Sequence, residues 1–140
     1  MRLVVDTNVI ISALIRDSAA RQLLLHLDAE LVTINFSKKE MNRYEKEILN
    51  KAGITKEELY QILDSLLSKM IILDDMVVQN EMDKAKQIMD EIDKNGAPFI
   101  AAALATDSAI WSDDKHFEKQ RAVKVYKTKD LIKYLTRSAG

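Results

Sequence analysis

Residues 2–15 read RLVVDTNVIISALI, and this stretch decides the fold. The β-branched run RLVV suits a buried strand over 2–5. The chain then changes at Asp6-Thr7-Asn8 into a helical pattern that runs to about Ile15. A strand followed at once by an acid and a helix opens an α/β unit. In open sheets of that kind, ligands sit beyond the carboxyl ends of the strands. The polar residues that directly follow strands are therefore the ones to watch.

The alternation continues outward from this opening. Residues 18–28 read as a second helix, with Leu23, Leu24 and Leu27 on one side. ELVTI at 30–34 reads as a strand, followed by a helix from about Lys38 to Lys51, with Ser37 and Glu40 at capping-box spacing. Residues 55–68 carry the clearest amphipathic pattern: Leu59, Ile62, Leu63, Leu66 and Leu67 share one face. Thr55 and Glu58 form a second capping-box pattern at its start. MIIL at 70–73 is a third strand. Residues 80–92 and 98–106 read as helices interrupted at Asn95-Gly96, with Pro98 in the first turn of the second. AIWS at 109–112 and VKVY at 123–126 are the last strands, and a helix spans Lys129 to Leu135. This order predicts an α/β fold: a three-layer α/β/α sandwich with a mostly parallel central sheet of about five strands. With 3 Gly and 1 Pro in 140 residues, nothing marks a linker, and residues 1–140 are expected to form a single domain.

Composition narrows the chemistry. Lys plus Arg total 21 and Asp plus Glu total 22, so the net charge of −1 excludes a generally basic nucleic-acid coat but leaves room for a local basic face. The absence of cysteine excludes a disulfide framework, a thiolate zinc site, an iron–sulfur cluster and a cysteine nucleophile. The first apolar stretch is broken by Asp6 and Asn8, and no run approaches the roughly 18 apolar residues of a membrane span. A soluble, cytoplasmic protein without membrane association is expected.

Two acidic clusters follow strands. Asp6 succeeds RLVV, and Asp113-Asp114 succeed AIWS. If these strands are neighbours, the carboxylates converge at one edge. Carboxylates held close repel unless a cation intervenes. A hard divalent ion such as Mg²⁺ takes oxygen ligands, activates a water and offsets charge on a phosphoryl oxygen. Each acid also has a structural reading. Asp6 caps the following helix, Glu40 is the return half of the Ser37 box, and Asp113 or Asp114 caps a short helix at 114–118. Asp93 sits near a helix C-terminus, where the macrodipole disfavours it. His26 and His116 are the only histidines, and no Ser or Cys signature supports a triad on either; His116 is a surface residue or stands near the site against a phosphate, and Trp111 and Phe99 read as core. Lys38, Lys39, Arg43 and Lys46 surround Glu40, and Lys115, Lys119, Arg121 and Lys124 follow the acidic turn. Such cations are either a solvated face or phosphate contacts. A phosphoacceptor domain is disfavoured: Asp74-Asp75 after MIIL imitates an acceptor, but the opening strand is followed by one acid and not a pair.

Four segments together resemble the PIN-domain family of metal-dependent ribonucleases, which includes many toxins of toxin–antitoxin pairs. VVDTNVIISAL is similar to the family's first strand, first acid and helix. SKKEMNRYEKEI is similar to the helix with its second acid, IDKNGAPFIAAAL to the helix that brings the third, and AIWSDDKHF to the fourth strand and its acidic turn. The resemblance implies an endoribonuclease using Mg²⁺ or Mn²⁺, held by Asp6, Glu40 and Asp114, with Asn8 and Ser112 in supporting positions and Asp113 beside them. It also implies RNA as substrate, an antitoxin partner and a homodimer, for which the 55–68 helix is the candidate contact. One position departs from the pattern. Gly96 stands where similar chains carry an acid directly before Ala-Pro-Phe, and Asp93 is the nearest substitute. That departure opens an alternative: a degenerate PIN domain that binds RNA or protein without cleaving.

Overall fold

The computed structural model describes residues 1–139, with side-chain surroundings for residues 1–135. Five strands form one sheet: β1 (Arg2–Val5), β2 (Glu30–Ile34), β3 (Met70–Leu73), β4 (Ala109–Trp111) and β5 (Val125–Tyr126). Their spatial order is β3-β2-β1-β4-β5, and every pairing is parallel. The opening strand is thus the central one, with Val4 opposite both Val32 and Ile110.

Successive side chains of a strand point to opposite faces, and this divides the core in two. Leu3, Val5, Leu31 and Trp111 belong to one apolar cluster; Val4, Val32, Ile34 and Ile110 belong to the other. Helices α1 (Thr7–Ile15), α2 (Ala19–His26), α3 (Asn35–Arg43), α4 (Glu45–Ala52), α5 (Lys56–Leu67) and α9 (Thr128–Ala139) supply the first cluster. Helices α6 (Asp75–Gln79), α7 (Met82–Met89) and α8 (Ala97–Thr106) supply the second. All five residues from Phe99 to Ala103 of α8 are buried, as a helix apolar on all sides requires. The expected sandwich is the one observed, and Trp111 and Phe99 lie in its core.

The elements differ from expectation where a distant partner intervenes. The helix expected over 38–51 is two helices, because the backbone leaves helical geometry at Tyr44 (φ −100°, ψ 12°). It also begins earlier, at Asn35, directly after β2, so Ser37 lies inside the helix, is fully buried, and is not its N-cap. The Thr55–Glu58 capping box is present, with both reciprocal bonds formed. Gly53 ends α4 in the left-handed region (φ 66°), where glycine carries no side-chain penalty. The helix expected over 80–92 is α7, shorter at both ends, and a further short helix, α6, precedes it, capped by Asp74 through the Met76 amide at 2.8 Å. Strand β5 is shorter than VKVY, because the Gln120 side chain takes both backbone groups of Val123.

Candidate metal centre

Strands β1 and β4 are neighbours, with Val5 paired to Trp111. The Asp6 amide donates to the Trp111 carbonyl at 3.0 Å, so the two turns leave the sheet side by side. Asp6 is only 5% exposed. It occupies the N-cap position of α1, yet its side chain makes no capping bond. The carboxylate instead accepts from the Ser112 hydroxyl at 2.7 Å. Ser112 Oγ in turn accepts from the Asp114 amide at 3.0 Å, linking the two acidic turns through one buried hydroxyl.

Glu40 reaches the same place from α3. Thr7 Oγ1 lies 2.7 Å from Glu40 Oε1 and 2.8 Å from Ser37 Oγ. With the single Thr7 proton on the carboxylate, Ser37 donates the second bond, and a chain Ser37–Thr7–Glu40 results. The capping box anticipated for Ser37 and Glu40 is replaced by this cross-element network. Asp93 caps a short 3₁₀ turn at Lys94–Gly96 through the Asn95 amide at 3.1 Å. Asp114 caps another 3₁₀ turn, Lys115–Lys119, through the His116 amide at 2.9 Å.

Asp6, Glu40, Asp93 and Asp114 all line one open cleft of about 230 Å³, together with Asn8 and Gly96. Burial pushes the Asp6 carboxyl up to about 6, opposed by the Ser112 hydroxyl and the Asn8 amide and reinforced by the charges of Asp114 and Glu40. Burial also raises Glu40; the Thr7 hydroxyl and Arg43 oppose the rise, and Asp93 adds to it. Among the described residues, no Lys or Arg forms a salt bridge with any of the four acids. The cleft therefore concentrates oxygen donors and negative charge that Arg43 offsets only from a distance, a donor set that fits a hard divalent ion. The most compact group of ligand atoms is Asp93, Asp114 and His116, one atom of each lying within 4.8 Å of the others.

The remaining positions separate clearly. Asp113 turns away from this cleft and accepts from the backbone amide and hydroxyl of Thr128, at 2.8 and 2.7 Å, at the start of α9. Gly96 is buried, and a Cβ there would stand 2.6 Å from Met89 Cε and 3.1 Å from the Phe117 ring. His116 is exposed, as expected for a surface histidine, but its Nδ1 lies 2.8 Å from Asp114 Oδ1 and 3.8 Å from Asp93 Oδ2. Sequence reasoning assigns Thr7 and Ser37 only capping roles, and sets His116 near the site as a phosphate contact or on the surface, not as a partner of the acids. For His116 a signal existed: it stands two residues after Asp114, a spacing at which a turn folds a side chain back on its cap.

Fold and cleft together define an α/β domain with an acidic site at the carboxyl end of a parallel sheet. The chain belongs to the PIN-domain family, whose sequence pattern matches residues 4–136. Two solved structures share the fold. VapBC2 from Rickettsia felis, bound to a DNA fragment from its promoter, superposes with a TM-score of 0.69 at 17% identity, covering 91% of this chain and 98% of that one. FitAcB from Neisseria gonorrhoeae superposes with a TM-score of 0.66 at 20% identity, covering 94% and 100%. No curated protein matches the chain. Among the described residues, no helix is long and apolar enough to cross a membrane.

Proposed function

We propose that this chain is a divalent-metal-dependent endoribonuclease that hydrolyses RNA phosphodiester bonds in the cytoplasm, as the toxin of a toxin–antitoxin pair. One observation carries the reading: acids from four separate elements line one cleft, and among the described residues no Lys or Arg bridges any of them. Asp6, Glu40, Asp93 and Asp114 would hold Mg²⁺ or Mn²⁺. A bound ion of this kind lowers the pKa of a water and offsets charge on the phosphoryl oxygens. The chain's own part is positional. Ser112 orients Asp6, and Thr7 orients Glu40. Lys39 and Arg43 on α3, with Lys115 and Lys119 beyond the acidic turn, are exposed for phosphate contact. Kinship of fold with VapBC2 and FitAcB supports the toxin assignment and an antitoxin partner. A homodimer belongs to the same reading. Ile71, Ile72, Met76 and Val77 expose an apolar edge at β3 and α6.

The test is cleavage of end-labelled RNA by nuclease-free protein with Mg²⁺ or Mn²⁺. Cleavage lost in EDTA and in Asp6→Asn is expected. Equal cleavage by Asp6→Asn overturns the assignment. Expression without a partner is expected to arrest growth, and light scattering is expected to give twice the chain mass. The second reading, a binding module without turnover, is favoured by Gly96. It predicts that RNA is bound and recovered intact under every metal condition.

A further inference from the structure

We propose that His116 is a nitrogen ligand of the metal in this cleft, in place of the side chain missing at position 96, and that it biases the centre toward Mn²⁺ over Mg²⁺. The proposal rests on the metal-dependent reading above. It begins from packing. A side chain at position 96 would meet the Met89 methyl at 2.6 Å and the Phe117 ring at 3.1 and 3.3 Å. The space is occupied by the residue next to His116. Phe117 is buried against Phe99 in an edge-to-face contact and anchors the 3₁₀ turn at that spot. The packing that crowds a side chain at position 96 therefore also carries His116 to the cleft rim.

The ring is already placed among oxygen donors. Nδ1 is 2.8 Å from Asp114 Oδ1 and 3.8 Å from Asp93 Oδ2, while the His116 amide holds Asp114 Oδ1 at 2.9 Å. Neutral imidazole offers a lone pair at one ring nitrogen, so an ion can replace the proton that now links ring and acid. His116 stands at the rim rather than in the lining, and it is its contacts with Asp93 and Asp114, both of which line the cleft, that tie it to the site; His26, at the end of α2, makes no such contact among the described residues. A mixed nitrogen and oxygen set alters ion preference. All-oxygen sites suit Mg²⁺ and Mn²⁺ alike, whereas imidazole favours transition ions.

The experiment is Mn²⁺ and Mg²⁺ binding by calorimetry on untagged full-length protein in imidazole-free buffer, with pulsed EPR of the Mn²⁺ complex. Wild type, His116→Gln and Asp93→Asn are compared, and circular dichroism confirms that each is folded. The expected result is directly coordinated nitrogen in wild type that vanishes in His116→Gln. Mn²⁺ affinity should fall about tenfold or more in that variant, with Mg²⁺ affinity nearly unchanged. Asp93→Asn should weaken both ions while retaining the nitrogen signal. Mn²⁺ bound with oxygen coupling alone, or nitrogen coupling that persists in His116→Gln, overturns the proposal and leaves the metal-dependent reading standing. No Mn²⁺ binding at millimolar concentration overturns both.

Discussion

Replacing Asp6 with asparagine is expected to stabilise the metal-free protein, in a manner that depends on pH. Burial lifts this carboxyl from 3.8 to about 6. An acid with a raised folded-state pKa stabilises the fold fully below its unfolded value and loses that contribution as pH rises through its folded value. The full loss, from well below pH 3.8 to well above pH 6, amounts to about 3 kcal/mol, of which about 2.4 kcal/mol falls between pH 4 and pH 7. Asparagine has nearly the same shape, and its side-chain oxygen can still accept from Ser112. It keeps a polar desolvation cost of about 1 kcal/mol, which leaves a net gain near 2 kcal/mol at pH 7.5. For a chain of this size that is roughly 5–10 °C in Tm. Urea and thermal unfolding in EDTA, at pH 4.5 and pH 7.5, measure the difference between variant and wild type. The gap should open between those pH values. A variant less stable than wild type at pH 7.5, or a gap independent of pH, would refute the claim that Asp6 is a buried charge held against its preference.

Three further outcomes follow from named contacts. Thr7→Val should break the Ser37–Thr7–Glu40 chain and leave a buried serine hydroxyl without its partner, costing about 1–3 kcal/mol in urea unfolding; NMR titration should show the Glu40 pKa higher still. Gln120→Ala removes three side-chain bonds to the backbone of Phe117 and Val123 and should cost about 2–3 kcal/mol, with the Val123 amide exchanging much faster. Gly96→Asp should destabilise the fold by about 1–3 kcal/mol through overpacking against Met89 and Phe117, and unchanged stability would show that the pocket yields freely.

The parts of this molecule that were legible beforehand are those decided locally. RLVV followed by Asp6 announces a strand with an acid at its carboxyl end, because β-branching and polarity act within a few residues. AIWS followed by Asp113-Asp114 does the same, and the parallel pairing of β1 with β4 then brings Asp6 and Asp114 together. The misread parts were settled across the fold. Ser37 and Glu40 have the spacing of a capping box, but Thr7, 30 residues from Ser37, competes for the serine hydroxyl and prevails. Strand β5 is shortened by Gln120, whose amide satisfies Val123 in place of a neighbouring strand. His116 could be placed beside Asp114 from spacing, whereas its approach to Asp93 depends on how α7 and the last two strands assemble.

The contact between Gly96 and Phe117 also bears on how this chain can change over generations. The Met89 methyl at the end of a flexible side chain can swing aside, whereas the buried Phe117 ring must give by a few tenths of an ångström. A side chain gained at position 96 therefore presses on the same ring that anchors the turn carrying His116. A smaller residue at position 117 would relieve that crowding and loosen the turn at once. Substitutions at positions 96 and 117 are therefore expected to be non-additive, each setting what the other costs.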